Sequence, residues 1–362
     1  MESEAQAVPG VDKGDRPDRL VKIPTLRSVA QLLDHVATLG GGLGADETVQ
    51  QGADSPLNQP LELKGRRIGN RWCTQPMEGW DGTTTGGVTE PMLRRWRRFG
   101  ESGAKLIWGG EAMAVRPDGR ANPNQLIISE ANAPGIARLR QELVVAHGQR
   151  FGRSDDLLIG FQLTHSGRFC RPNEKTRFEP RVAFRHPFLD GRFRVTSDDQ
   201  VWTDAELRVL VQDYVRAAGI AAACGADFVD VKHCHGYLLH EFLGAHTRPG
   251  LYGGDFANRT RMLREIVGGI RAAGVPLEIG VRLSAFDFVP FRPDPELGRP
   301  GKLGPGIPED FAPHLPYRYA FGCKQEHPVE WDLTETFQLV DLLAELDVRL
   351  LNLSAGSPYY NP

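Results

Sequence analysis

Apolar residues in this chain come in short unbroken runs, and the stretches between the runs carry helical spacing. The runs at Arg71–Met77, Lys105–Ala112, Leu157–Thr164, Asp227–Cys234, Glu278–Ser284 and Val348–Ser354 predict six strands. Helices are predicted between them at Pro91–Ser102, Pro134–Arg150, Asp204–Cys224, Phe256–Ala273 and Thr334–Leu346. The third helix opens on a capping box, Thr203 with Glu206, and the fourth repeats apolar residues at Met262, Ile266 and Ile270. Strands that are apolar throughout are buried on both faces, so β and α alternating in this way predict a parallel sheet covered by helices. No GxGxxG follows the first strand, which favours a (β/α)8 TIM barrel over a doubly wound sheet. A complete barrel needs roughly 60 to 80 residues beyond the sixth strand, so only about six βα units are expected here. The barrel domain is assigned to 56–362 and read as C-terminally incomplete. Residues 1–55, punctuated by Gly and Pro with one helix near Leu26–Leu39, read as a partly irregular N-terminal extension.

Composition narrows the partners. The 362 residues are 40% hydrophobic and 25% charged, an ordinary soluble globular balance. A net charge of -3 lacks the basic footprint that nucleic acid or an anionic membrane demands. The first twenty residues hold no apolar core of a signal peptide, and no run of about 18 apolar residues offers a membrane span. A cytoplasmic protein acting on a small molecule is expected, with a homo-oligomer left open. The five cysteines (Cys73, Cys170, Cys224, Cys234, Cys323) contain no CxxC, so neither a disulfide framework nor a zinc or iron–sulfur site is indicated.

Candidate chemistry concentrates where the fourth strand ends. Phe228, Val229 and Val231 run into Lys232, His233, His235, Tyr237 and His240 within nine positions, and barrel enzymes carry their active sites at the carboxyl ends of strands. The HxH spacing of His233 and His235 has no companion cluster at another strand end, so no metal is assigned. Arg282 sits inside the apolar fifth strand, where a guanidinium requires an anionic or carbonyl partner, either a ligand or a barrel carboxylate.

The segments IGNRWCTQPM, LIWGGEAM, GFQLTHSGR, VDVKHCHGYLLHEFL, LYGGDFANR and VRLSAFD, in this order, resemble the signature segments of the old yellow enzyme family of flavin-dependent ene-reductases. The resemblance covers about residues 57 to 357. It implies a barrel holding FMN at the top of its strands, reduced by NAD(P)H and reoxidised by an activated alkene in a conjugated carbonyl or acyl substrate. It places Pro76 and Met77 under the flavin, the Ala112 backbone N–H at a flavin carbonyl, Gln162 at the pyrimidine edge and Arg282 at N1 and O2. Lys232 and His235 would hold the substrate carbonyl, and Tyr237 would protonate the alkene carbon. An arginine suits a reduced flavin because the hydroquinone is anionic at that edge.

Two positions depart from the family pattern. Lys232 stands where a histidine is usual, bringing a charge on a flexible stem. Glu78 follows Pro76–Met77 where a small residue is usual, and with Trp80 it is assigned to the substrate pocket. The loop from Arg168 to Arg194 holds eight basic residues against Glu174, Glu179 and Asp190. It reads as a solvated charged loop or as a phosphate contact. Residues 287–331, rich in Pro, Gly and aromatics, read as a lid. The rival readings are a Schiff-base aldolase-like barrel using Lys232 and a non-catalytic barrel remnant.

Overall fold

The computed structural model describes residues 21–299, 301 and 303–361. The chain divides into two compact units, Met1–Asn58 and Gln59–Pro362. In the first, α1 (Val29–Thr38) starts where the Ser28 hydroxyl accepts from the backbone N–H of Gln31 at 3.2 Å. The first twenty residues, part of the predicted extension, lie outside the described residues.

The second unit begins with a hairpin of β1 (Leu61–Leu63) and β2 (Arg66–Ile68). There follow β3 (Cys73–Thr74), α2 (Glu90–Glu101), β4 (Leu106–Ile107), β5 (Ala112–Ala114), α3 (Ala133–Phe151), β6 (Leu158–Thr164), α4 (Leu189–Phe193), α5 (Asp204–Ala223) and β7 (Phe228–Val231). The chain continues through α6 (Leu238–Leu243), α7 (Phe256–Arg259), α8 (Arg261–Ala272), β8 (Glu278–Ser284), the hairpin of β9 (Phe291–Pro293) and β10 (Gly306–Pro308), α9 (Thr334–Glu345) and β11 (Leu350–Ser354). The main sheet is parallel, in the order β11-β8-β7-β6-β4-β3, and β5 also pairs with β6.

The second predicted strand is interrupted. Gly109 and Gly110 take φ of 96° and 49°, and a side chain at either position would lie within 3 Å of Gln162 or Trp96. This break divides one strand position into β4 and β5. The predicted Arg71–Met77 shrinks to β3, because only Cys73 and Thr74 find ladder partners in β4. The predicted fourth helix bends at Thr260, whose hydroxyl bonds back to the carbonyl of Phe256 at 2.8 Å. The capping box of α5 forms as predicted, with Thr203 N–H donating to Glu206 at 2.8 Å. Part of the 287–331 segment is packed, since Phe321 joins the main core and Val289 and Tyr317 are buried.

The strands present two unlike faces. Ile159, Phe161 and Leu163 of β6, Val229 and Val231 of β7, and Ile279, Val281 and Leu283 of β8 enter a core shared with the helices. The opposite face starts apolar at the strand beginnings, where Leu158, Phe228, Leu350 and Trp108 cluster with Ile68 of the hairpin. Gly160 must lack a side chain there, since a Cβ would lie 2.3 Å from the Phe228 ring. This inner cluster takes Cys73 from one edge strand and Leu350 from the other. Beside it, Asn352 Nδ2 of β11 donates to Gln75 Oε1 just past β3 at 2.6 Å. The sheet therefore curls until its edges touch through side chains, forming a partial barrel.

Candidate active site

Above that apolar floor, the inner face turns polar. Asp230 of β7 is fully buried, and its carboxylate accepts from Trp108 Nε1 at 2.8 Å, Gln162 Nε2 at 2.6 Å and the backbone N–H of Arg282 at 2.7 Å. Burial raises its pKa, against the pull of these donors. The Arg282 side chain behaves differently. Its Nε is buried and finds no hydrogen-bond partner among the described residues, nor does the guanidinium form an ion pair among them. A buried Nε without a partner is costly, and the half-buried Arg282 side chain lies on the inner face of the curl, as Asp230 does.

The ladder from β7 runs on past Val231, with His233 N–H donating to the Arg282 carbonyl at 2.8 Å and Ser284 N–H to that of His233 at 3.1 Å. Lys232 thereby faces inward, as Phe228 and Asp230 do, and His233 outward. His233 Nδ1 meets the carbonyl of Val231 at 2.8 Å, and burial lowers its pKa to about 4. His235 and Gly236 then take positive φ of 64° and 76°, a sharp turn held by Ser284 Oγ on the His235 N–H and by Ser357 Oγ on its carbonyl. That turn aims Tyr237, just before α6, back at the mouth.

Four of the assigned residues form one hydrogen-bonded cluster. Lys232 Nζ donates to Glu78 Oε1 at 3.1 Å, and Trp80 Nε1 and the Tyr237 hydroxyl donate to Glu78 Oε2 at 3.1 and 2.8 Å. The ammonium of Lys232 also lies 3.4 Å from the centroid of the Tyr237 ring. Tyr237 is 1% exposed, and burial followed by the Glu78 charge pushes its pKa well above 10. Its hydroxyl is also 2.9 Å from that of Tyr359. A phenol has one hydrogen, so with Glu78 taking it, Tyr359 must be the donor to Tyr237. His235 stands next to this cluster. Burial, then the charges of Lys232, Arg282 and His240, lowers its pKa to about 3, leaving a neutral ring at neutral pH.

The remaining assigned residues are fixed by other neighbours. Gln162 is oriented by Asp230, and Ala112 pairs with it in the sheet. Pro76 is buried, whereas Met77 is 64% exposed. Lys232 is committed to Glu78 and Tyr237, not held as the free amine that Schiff-base chemistry calls for. Four of the eight basic residues in the loop are matched by acids from within and outside it: Arg168 pairs with Asp190 and Glu241, Arg177 with Glu174 and Glu179, Arg181 with Glu206, and Arg185 with Asp190 and Asp198. Arg171 stacks on Trp80 and Phe178. Among the described residues, no group of three or more His, Cys, Asp or Glu is placed to hold a metal, and no helix is long and apolar enough to cross a membrane.

Sequence reasoning missed Asp230, Trp108 and Tyr359. The signal for Asp230 was present in FVDV, a carboxylate at an inward position of an otherwise apolar strand. Tyr359 lies in SPYYNP, which has no periodicity to read.

Comparison with known proteins agrees with this architecture. Residues 56–292 match the NADH:flavin oxidoreductase / NADH oxidase family. An NADPH dehydrogenase of Bacillus subtilis strain 168 is 30% identical over 244 residues, 64% of each chain, so the present chain spans less than two thirds of that relative. An NADH:flavin oxidoreductase of Gibberella zeae is 27% identical over 322 residues, 85% of this chain and 68% of that one. The crystal structure of Old Yellow Enzyme from Pichia sp. AKU4542 aligns with a TM-score of 0.58 at 21% identity, covering 83% of this chain and 71% of that one, a likeness of fold. The chain belongs to the NADH:flavin oxidoreductase / NADH oxidase family, that of the old yellow enzymes, whose cofactors are FMN and a nicotinamide nucleotide.

Proposed function

We propose that this chain carries the active site of an FMN-dependent (β/α)8 TIM-barrel oxidoreductase that uses NAD(P)H to reduce an activated alkene in a conjugated carbonyl or acyl compound. The observation that carries this reading is the unpartnered Arg282 guanidinium on the inner face beside the Lys232, His235 and Tyr237 turn. A cation left without a protein anion fits the electron-rich N1 and O2 edge of a flavin. Gln162, its amide nitrogen held by Asp230, has its carbonyl left to accept from the ring imide. The Ala112 backbone, Pro76 and Met77 complete the set of residues that would hold the group. FMN, when bound, supplies the hydride chemistry.

The protein's own groups would orient the substrate and manage its proton. Neutral His235 and the Lys232 ammonium are donors for a substrate carbonyl, and a donor aimed at a developing enolate oxygen stabilises the transition state. Glu78 and Trp80 wall the pocket, and Tyr237 hands a proton to the α-carbon. Tyr237→Phe is expected to slow alkene reduction by roughly a hundredfold while flavin reduction by the nicotinamide stays nearly intact. Stopped-flow measurement of the two half-reactions checks this, and equal losses in both would count against the role of Tyr237.

A further inference from the structure

We infer that Glu78 is the proton reservoir of Tyr237, the two side chains forming a relay that delivers a proton from water to the substrate carbon. The inference rests on the reading of Tyr237 as the proton donor. It begins from direction: the Tyr237 hydrogen points at Glu78 Oε2, 2.8 Å away, and Tyr359 fills an acceptor position on the phenol oxygen. Were Tyr237 to release its proton beside an ionised Glu78, two anions would share a buried site, an arrangement that like-charge repulsion opposes. A protonated Glu78 removes the conflict. Its O–H donates to the Tyr237 oxygen, and the phenol hydrogen is freed to turn toward substrate.

The step then balances without electron transfer. The Tyr237 O–H bond breaks as a C–H bond forms at the carbanionic carbon of the reduced substrate. The Glu78 O–H breaks as a new Tyr237 O–H forms, and water later reprotonates Glu78. The carboxylate left behind is held by Lys232 and by Trp80, which explains three donors converging on one side chain that is 8% exposed. The titratable and charged groups around Glu78 are Lys232, Cys234 and Tyr237 after β7, Tyr359 from the C-terminal segment, and Arg171, stacked on Trp80, from the loop after β6. Glu78 acts through Tyr237 and is a positioning residue in this scheme.

Two measurements test the relay on the full chain. Ultraviolet titration follows tyrosinate without reference to flavin or turnover. In Glu78→Gln, a tyrosinate signal is expected at least about one pH unit below its wild-type position, since the neighbouring carboxylate is gone and Lys232 remains over the ring. Tyr237→Phe added to that variant should abolish the signal, and an unmoved titration overturns the coupling. The second measurement is the pH profile of the alkene half-reaction. Wild type should slow toward alkaline pH, Glu78→Asp should keep that limb, and Glu78→Gln should flatten it. Retention of the limb in Glu78→Gln overturns the relay. Should Glu78→Gln not fold, Trp80→Phe removes one donor from the carboxylate and is expected to displace the alkaline limb of the profile, and an undisplaced limb again overturns the inference. An unaffected alkene half-reaction in Tyr237→Phe would instead sink the donor assignment alone, whatever the titration shows.

Discussion

Arg168, in the loop after β6, and Arg282, near the end of β8, are both arginines at the carboxyl side of the sheet, and the protein treats them in opposite ways. Arg168 is 1% exposed and fully answered, with Asp190 at 2.5 Å, Glu241 at 2.8 Å and the carbonyl of Phe184 at 3.0 Å. Arg282 has none of these, although Asp230 lies on the adjacent strand and accepts from the Arg282 backbone. A buried cation with its own carboxylates is a structural joint. A half-buried one left without them, on the inner face of a barrel, is held ready for an outside anion or carbonyl.

Substitution should separate the two most sharply at Arg168. Arg168→Met leaves Glu241 as a buried acid without its cation and leaves Asp190 with Arg185 alone, and is expected to cost about 3–5 kcal/mol in urea-denaturation stability. The matching Arg282→Met breaks no protein ion pair and should stay within about 1 kcal/mol of wild type, while the purified protein loses most of its bound flavin, read from the visible spectrum. A large stability loss in Arg282→Met would erase the distinction. The smallest effect is on His235. Removing the Arg282 charge should raise the His235 pKa from its depressed value of about 3, which NMR titration of the imidazole reports. The sign for stability follows. A histidine whose folded pKa is depressed from 6.5 to about 3 stabilises the fold above 6.5, and this contribution fades as pH falls toward 3, a loss that Arg282→Met should diminish.

The strands and helices were legible because their cues are local. Unbroken apolar runs mark a sheet buried on both faces, and the Thr203–Glu206 box marks the start of a helix. The interruption at Gly109 and Gly110 was not, since it depends on Gln162 and Trp96 crowding those positions from elsewhere in the chain. At the site, the crowd from Lys232 to His240 was visible as a pattern, and so was Arg282 as a charge in an apolar strand. What the pattern hid was the matching. Glu78 and Lys232 are 154 residues apart, and nothing in either neighbourhood says that one neutralises the other. The basic loop shows the same limit, because its positive balance dissolves once Glu206, Glu241 and Asp198 arrive from outside the segment or its immediate neighbours.

Asp230 has a consequence for assembly of the sheet itself. One buried carboxylate collects a donor following β4, one from β6 and one from β8, so it is satisfied only when all three are aligned with β7. A one-residue slip would turn Gln162 to the helix side and strand an acid in the interior. The same side chain that orients the inner face thus acts as a proofreading device for strand alignment, penalising misassembled sheets before any ligand arrives.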